Sequence, residues 1–194
     1  MTPNDRASRE QAILDAARAE LIAVGWKKAS MTAIARRAGA SKETLYAWFG
    51  NRAGLFERLI RENAAQADLA LAAEGSIEDV LTGFGTALLS LLTSPVSLAL
   101  NRAAIAEADH DASLGRLLLE AGKGATMPGF AALITRGIEE GALDIANPAQ
   151  AAEDYLGLLK GDMQIQLLLT CGEPGDPHEQ ARHATRQWLR LYAV

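Results

Sequence analysis

One cysteine, Cys171, is all that the 194 residues offer to thiol chemistry. A lone thiol closes no internal disulfide and builds no cysteine-rich zinc site, and it suits a reducing compartment. Aromatic residues are also scarce, at 5%, too few in the C-terminal part for a multi-aromatic cage around a cationic ligand. Long hydrophobic runs are missing. The longest apolar stretch, around Thr86 to Leu100, is interrupted by Ser, Thr and Pro95 and is shorter than a membrane span, and no basic segment followed by an apolar core stands at the N-terminus. No run alternates polar and apolar residues as a half-buried strand does. What remains, 49% apolar and 22% charged residues, is the balance expected of a folded, soluble, cytoplasmic protein, either one ordinary domain or a small domain fused to a larger one.

The net charge of −5 conceals a division. Residues 1–61 carry 11 Lys/Arg against 6 Asp/Glu, and residues 62–194 carry 8 against 18. A basic segment on an otherwise acidic chain is the electrostatic footprint of a polyanion partner, although a surplus this small also occurs on ordinary solvated faces.

Helical periodicity predicts an all-α chain. A first helix, about Ser8 to Val24, places Ile13, Ala16, Ala17, Leu21 and Val24 on one face, with Gly25 as its stop. Ser30 caps a second, Met31 to Ala38, which offers Ile34, Ala35 and Ala38 to the core and ends at Gly39. Ser41 caps a third, Lys42 to Phe49, with Leu45 and Phe49 inward and Lys42, Glu43, Thr44, Tyr46 and Trp48 outward. Two short helices joined by a glycine turn, the second carrying polar and aromatic side chains near its start, make a helix-turn-helix whose second helix fits the major groove. Lys27, Lys28, Arg36 and Arg37 are expected as solvated cations adding to the general positive field.

The segment Ser30 to Phe56, SMTAIARRAGASKETLYAWFGNRAGLF, closely resembles the signature of TetR-family transcriptional regulators: Ile34-Ala35, Ala38-Gly39, Ser41, Thr44 to Tyr46, Phe49 and a basic residue three further on. The resemblance implies DNA-contacting roles for Thr32, Ser41, Lys42, Glu43, Thr44, Tyr46, Trp48 and Arg52. Lys42 can donate to guanine O6 and N7. Glu43 can accept from cytosine N4, disfavour other sequences, or merely favour the helix N-terminus. Thr44, Tyr46 and Trp48 fall on positions that resemble the family's phosphate contacts, and Thr32 falls where the family often has a DNA-contacting residue, with a hydroxyl able to bond a phosphate. Arg52 replaces a common lysine, and Ala53 stands where an acidic residue is frequent.

A long fourth helix, about Arg52 to Ala73, should join this element to a C-terminal helical bundle, giving domains at 1–52 and 53–194. Ser76 caps a fifth helix with Ile77, Val80, Leu81, Phe84, Leu88 and Leu91 at helical spacing, broken at Ser94-Pro95. Further helices are expected from Pro95 to Ala108, Ala112 to Ala121 and Pro128 to Glu140, and Asn147-Pro148 and Asp176-Pro177 start the last two. This part resembles the AefR-like class of ligand-binding C-terminal domains, through SLALNRAAIAEA at Ser97 to Ala108 and a turn at Gly141 to Leu143. The resemblance implies an effector site among the middle helices, with Asn101, Arg102, Glu107, His110, Met127, Phe130 and Gln164 as lining residues and an apolar or weakly anionic small molecule as effector. For Arg102 and Glu107 a structural salt bridge is the competing reading.

Catalysis finds no convergent set of residues. His178 and His183, five apart on one predicted helix, do not share a face as a zinc pair would; Gly83-Phe84-Gly85 follows no strand and so is no dinucleotide loop; Cys171 has no obvious base. No enzyme, cofactor or metal site is expected. The helix after Pro148 is apolar around most of its circumference up to Thr170, which asks for cover on two sides. With the last helix it predicts a four-helix dimer interface through Tyr155, Leu156, Leu159, Met163, Leu167, Trp188 and Tyr192. The expectation is a homodimeric, two-domain repressor that binds a palindromic double-stranded operator and is released by a small-molecule effector. The rivals are an effector-independent DNA-binding regulator and a helical enzyme or protein-interaction module.

Overall fold

Side-chain caps set the starts of five of the helices. Ser30 accepts from Ala33 N, Ser41 from Thr44 N, Ser76 from Asp79 N, Asn147 from Gln150 N, and Asp176 from His178 N and Glu179 N. Each answers a backbone N–H that the first turn leaves without a helical partner. The structure, a computed structural model, describes residues 3–173 and 175–194. Among these the helices are α1 (Pro3–Lys28), α2 (Met31–Ala38), α3 (Lys42–Phe49), α4 (Arg52–Leu71), α5 (Ile77–Leu92), α6 (Pro95–Glu107), α7 (Ser113–Leu118), α8 (Gly124–Glu139), α9 (Pro148–Lys160), α10 (Met163–Leu168) and α11 (Pro177–Tyr192), with a short π-helical segment, Leu119–Lys123, ahead of α8. No single helix among the described residues is long and apolar enough to cross a membrane.

Contacts divide the chain into two compact units, residues 1–62 with 95–118, and residues 63–94 with 119–194. The expected boundary follows residue 52, whereas the contact-defined division falls within α4 and assigns α6 and α7 to the first unit.

In the first unit α1 packs against α2 and α6, α2 against α3, and α6 against α7. Its core holds Ile13, Leu14, Ala17, Leu21, Ile34, Leu45, Leu55, Phe56 and Leu59. Val24 is exposed rather than buried, and Phe49 only half-buried. The backbone leaves the helical region at Gly25 (φ 76°, ψ 168°), as the expected stop requires, but Trp26 to Lys28 form a further turn. At the other end α1 starts at Pro3, ahead of the expected Ser8.

In the second unit α11 lies along α5 and α9, and α8 packs on α9. Phe84, Phe130, Tyr155 and Trp188 meet at ring separations of 5.3–6.3 Å. Both buried polar tips are satisfied: the Tyr155 hydroxyl donates to Leu81 O at 2.6 Å and Trp188 Nε1 to Ala151 O at 2.7 Å. Burial also pushes the Tyr155 phenol well above its ordinary range. The C-terminal residues are tied down by Asp144 N to Tyr192 O, Val194 N to Ala142 O and a bridge between Leu143 and Ala193.

Two element expectations need correction. Pro128 lies inside α8 rather than at its start, one turn in, where its missing N–H forfeits a single bond to the first turn. The apolar helix expected to continue to Thr170 stops at Lys160, because Gly161 adopts φ 46°, a conformation that other residues rarely take, and α10 starts afresh at Met163.

Candidate nucleic-acid interface

The helix-turn-helix forms from local chemistry. α2 ends where the Gly39 N–H bonds Ala35 O and Arg36 O, and α3 starts two residues later on Ser41. Leu45, fully buried, fixes which face of α3 turns inward. At its far end α3 is pressed by the first turn of α4: a Cβ at Gly54 would overlap the Phe49 carbonyl oxygen, so only glycine fits there.

The polar side chains expected to contact DNA are accessible. Thr32, Lys42, Glu43 and Tyr46 are exposed, and Thr44 and Trp48 partly so. The Lys42 ammonium lies 5.9 Å from the centre of the Tyr46 ring, within cation–π range and still on the surface. Ser41 and Thr44 hydroxyls bond each other at 2.9 Å while Ser41 caps the helix, so both are held in place near the N-terminus of α3.

Arg52 has a different setting. Its guanidinium sits 4.4 Å from the centre of the Trp26 ring, and Nη1 donates to Trp26 O at 2.9 Å and Ala29 O at 3.3 Å. Trp26 in turn packs on Phe56, ring centres 4.9 Å apart. Arg52 therefore closes the carbonyl end of α1 from the start of α4, a structural role that its place in the motif does not reveal.

Pairing sorts the basic residues of the N-terminal segment. Arg18 bonds Asp15 and Glu62, Lys27 bonds Glu107, Arg37 bonds Glu20, Arg58 bonds Glu10 and Arg61 bonds Glu57, at 2.6–3.2 Å. Lys27 and Arg37 are thus partnered rather than simply solvated. Among the described residues no ion pair takes up Arg6, Arg9, Lys28, Arg36 or Lys42. The basic surplus of the segment consequently stands on cations without acidic partners, the condition under which phosphate oxygens compete well for them.

The residues expected to line an effector site fall in both units. In the first, the Asn101 amide donates to Ser97 O on its own helix, Arg102 and His110 are exposed, and Glu107 pairs with Lys27 at 2.9 Å, the salt-bridge reading of that residue. In the second, Met127 and Gln164 are half-buried, while Phe130, 2% exposed, packs in the aromatic core.

The residues expected at the dimer interface are largely buried within the protomer. Tyr155, Leu159 and Trp188 have no exposed surface, and Leu156 and Leu167 have little; all of these but Leu167 belong to the protomer's main hydrophobic core cluster. Met163 and Tyr192 are half-buried against it. The exposed large apolar side chains nearby in sequence are Ile165, Leu169 and Leu191. Periodicity identified the apolar circumference but not which stripe α5 and α11 would cover.

This geometry defines a helix-turn-helix transcriptional regulator. Residues 13–59 match the family model described as bacterial regulatory proteins, tetR family, and residues 79–194 match the AefR-like transcriptional repressor C-terminal domain. Among solved structures, a TetR transcriptional regulator from Agrobacterium tumefaciens is 34% identical over 100% of this chain and 96% of its own, with a TM-score of 0.82. A TetR-family regulator from Mesorhizobium loti is 26% identical over the whole of both chains, with a TM-score of 0.78. A regulator described as flavonoid-responsive, FrrA, is 24% identical over 96% of this chain and 98% of its own, with a TM-score of 0.68. No curated protein matches the sequence. The chain belongs to the TetR family of DNA-binding transcriptional regulators and carries an AefR-like C-terminal domain.

Proposed function

We propose that the protein is a repressor that binds an inverted-repeat operator as a homodimer through residues 1–52 and is released by a small-molecule effector held in residues 53–194. The observation that carries the DNA reading is the outward face of α3, where Lys42, Glu43 and Tyr46 are exposed on a helix fixed at one end by the Ser41 cap and at the other by Gly54. Lys42 reads a base edge, and Thr32, Thr44, Tyr46 and Trp48 hold the phosphate backbone. Repression is favoured by the AefR-like repressor match of residues 79–194.

The effector is an apolar or weakly anionic small molecule. This reading draws on the apolar helices α5, α8 and α9 and on two relatives of the same fold: FrrA is described as flavonoid-responsive, and a FadR from Bacillus subtilis, 16% identical, is described in complex with stearoyl-CoA. For the dimer, Ile165, Leu169 and Leu191 supply the exposed apolar surface on α10, its C-cap and α11.

Footprinting on the DNA flanking its own coding region tests the reading. Protection of an inverted repeat with half-sites about one helical turn apart is expected. Protection without a repeat, or none at any salt concentration, overturns it. An effector must bind more weakly in the presence of operator by the same factor by which it weakens operator binding.

A further inference from the structure

Arg6 is not part of the recognisable helix-turn-helix segment. It reaches the reading helix because α1 starts at Pro3, a residue well suited to the first helical turn, and so carries its N-terminal turn past the expected start at Ser8. There the Arg6 guanidinium carbon lies 5.4 Å from the centre of the Trp48 ring, at the far end of α3. The distance is within cation–π range.

The chemistry of the pair points outward. A cation–π contact at this distance engages the charge of the guanidinium and takes up none of its five N–H donors in a hydrogen bond. Those donors are not taken up by a carboxylate: among the described residues Arg6 forms no ion pair, and the side chain is exposed. Trp48 is itself partly exposed and has one donor, its Nε1–H. A planar, permanently charged fork and an indole donor are therefore juxtaposed beside the helix that reads DNA. The group that such a pair accepts is a phosphate oxygen.

We propose that Arg6 is a DNA-backbone contact, held in position by its cation–π contact with Trp48, so that the reading head extends beyond the helix-turn-helix to the first turn of α1. The proposal rests on the reading of α3 as the DNA-binding helix. It adds one phosphate contact per protomer and no sequence preference, because phosphates are alike at every base pair.

The test uses the full-length protein and two duplexes of equal length: one selected by the wild type from a randomised library, and one of random sequence. Fluorescence anisotropy over a salt series gives affinity and its salt slope. Arg6→Ala is expected to weaken both duplexes by the same factor and to reduce the slope by about 0.9 per protomer. Arg6→Lys should retain the slope but bind more weakly than wild type, since an ammonium lacks the planar fork that bonds a phosphate at two oxygens. In a Trp48→Ala background, Arg6→Ala should cost less affinity than in the wild type. Arg190→Ala on α11, an equal change in net charge, should leave the slope unaltered. Far-UV circular dichroism distinguishes loss of contact from loss of fold; an unfolded Arg6→Ala would make Arg6 a structural residue and overturn the proposal. An unchanged slope and affinity for a folded Arg6→Ala, with the wild type binding normally, overturns the proposal and leaves the reading of α3 standing. A wild type without salt-dependent binding to either duplex overturns both.

Discussion

Arg52 lies over the Trp26 ring at 4.4 Å while its Nη1 donates to Trp26 O and Ala29 O, so a single guanidinium joins the start of α4 to the end of α1. The motif implied a DNA contact; the geometry gives the residue an anchoring role. Arg52→Ala should therefore destabilise the protein by about 2 kcal/mol, the order expected for hydrogen bonds from a charged donor together with a cation–π contact. Arg52→Lys should recover less than half, because an ammonium cannot stack and fork in the same way. Thermal or denaturant unfolding measures both. A variant as stable as wild type that loses only DNA affinity would restore the DNA-contact assignment.

Gly54 makes a second prediction about the reading head. A methyl group there would overlap the Phe49 carbonyl, so Gly54→Ala must move the end of α3 or the start of α4. Overpacking of this kind costs roughly 1–3 kcal/mol. Operator affinity should fall more than affinity for random DNA, since base contacts depend on the pose of α3 more than backbone contacts do. Comparing unfolding with binding to the two duplexes checks it; unchanged values for both would show that the helices yield freely.

Burial changes the choice of variants that test the dimer. Leu159 has no exposed surface, whereas Leu169 is 63% exposed. Leu159→Glu should unfold the second unit, because a carboxylate would be buried without a partner among aliphatic and aromatic neighbours. Leu169→Glu and Ile165→Glu should keep the helical content and give monomers in sedimentation. Folded dimers from the latter pair would place the interface elsewhere.

A pH prediction follows from the C-terminal end. The Tyr192 hydroxyl donates to Asp154, and that bond, then one from Gln150, holds the Asp154 carboxyl below its ordinary value. The same bond holds the Tyr192 phenol above its ordinary value. For Asp154 the folded state prefers the charged form, so its stabilisation is present above the unfolded pKa, about 3.9, and is lost as pH falls through the lowered folded value. For Tyr192 the sign reverses: stabilisation is present below the unfolded pKa, about 10, and is lost as pH rises through the raised folded value. Tyr192→Phe should flatten both limbs of a stability-against-pH curve. Equal curves for the variant and the wild type would show that the bond does not persist in solution.

How much could be read from the sequence depended on how local the determining chemistry was. α2 and α3 coincide with their expected bounds because Ser30, Gly39 and Ser41 signal the ends directly. The caps at Ser76, Asn147 and Asp176 were equally legible. What escaped depends on distant partners. Phe130 and Tyr155 look alike to periodicity whether they face a ligand, a second subunit or each other; only tertiary packing, with rings 5.3 Å apart, decides. Glu107 meets Lys27 across 80 positions of sequence, and Arg6 meets Trp48 across 42. The break at Gly161 was marked by the glycine itself, but the apolar pattern continues across it and outweighed that signal.

Lys42→Ala, titrated against the selected operator and against random duplex at matched salt, asks most directly whether α3 reads sequence. The exposed ammonium of Lys42 at the first position of that helix predicts a loss of about 1–3 kcal/mol on the operator, with relaxed preference at one position per half-site and a much smaller loss on random DNA. An equal loss on both duplexes would contradict base reading by Lys42 and reduce α3 to a backbone-binding helix.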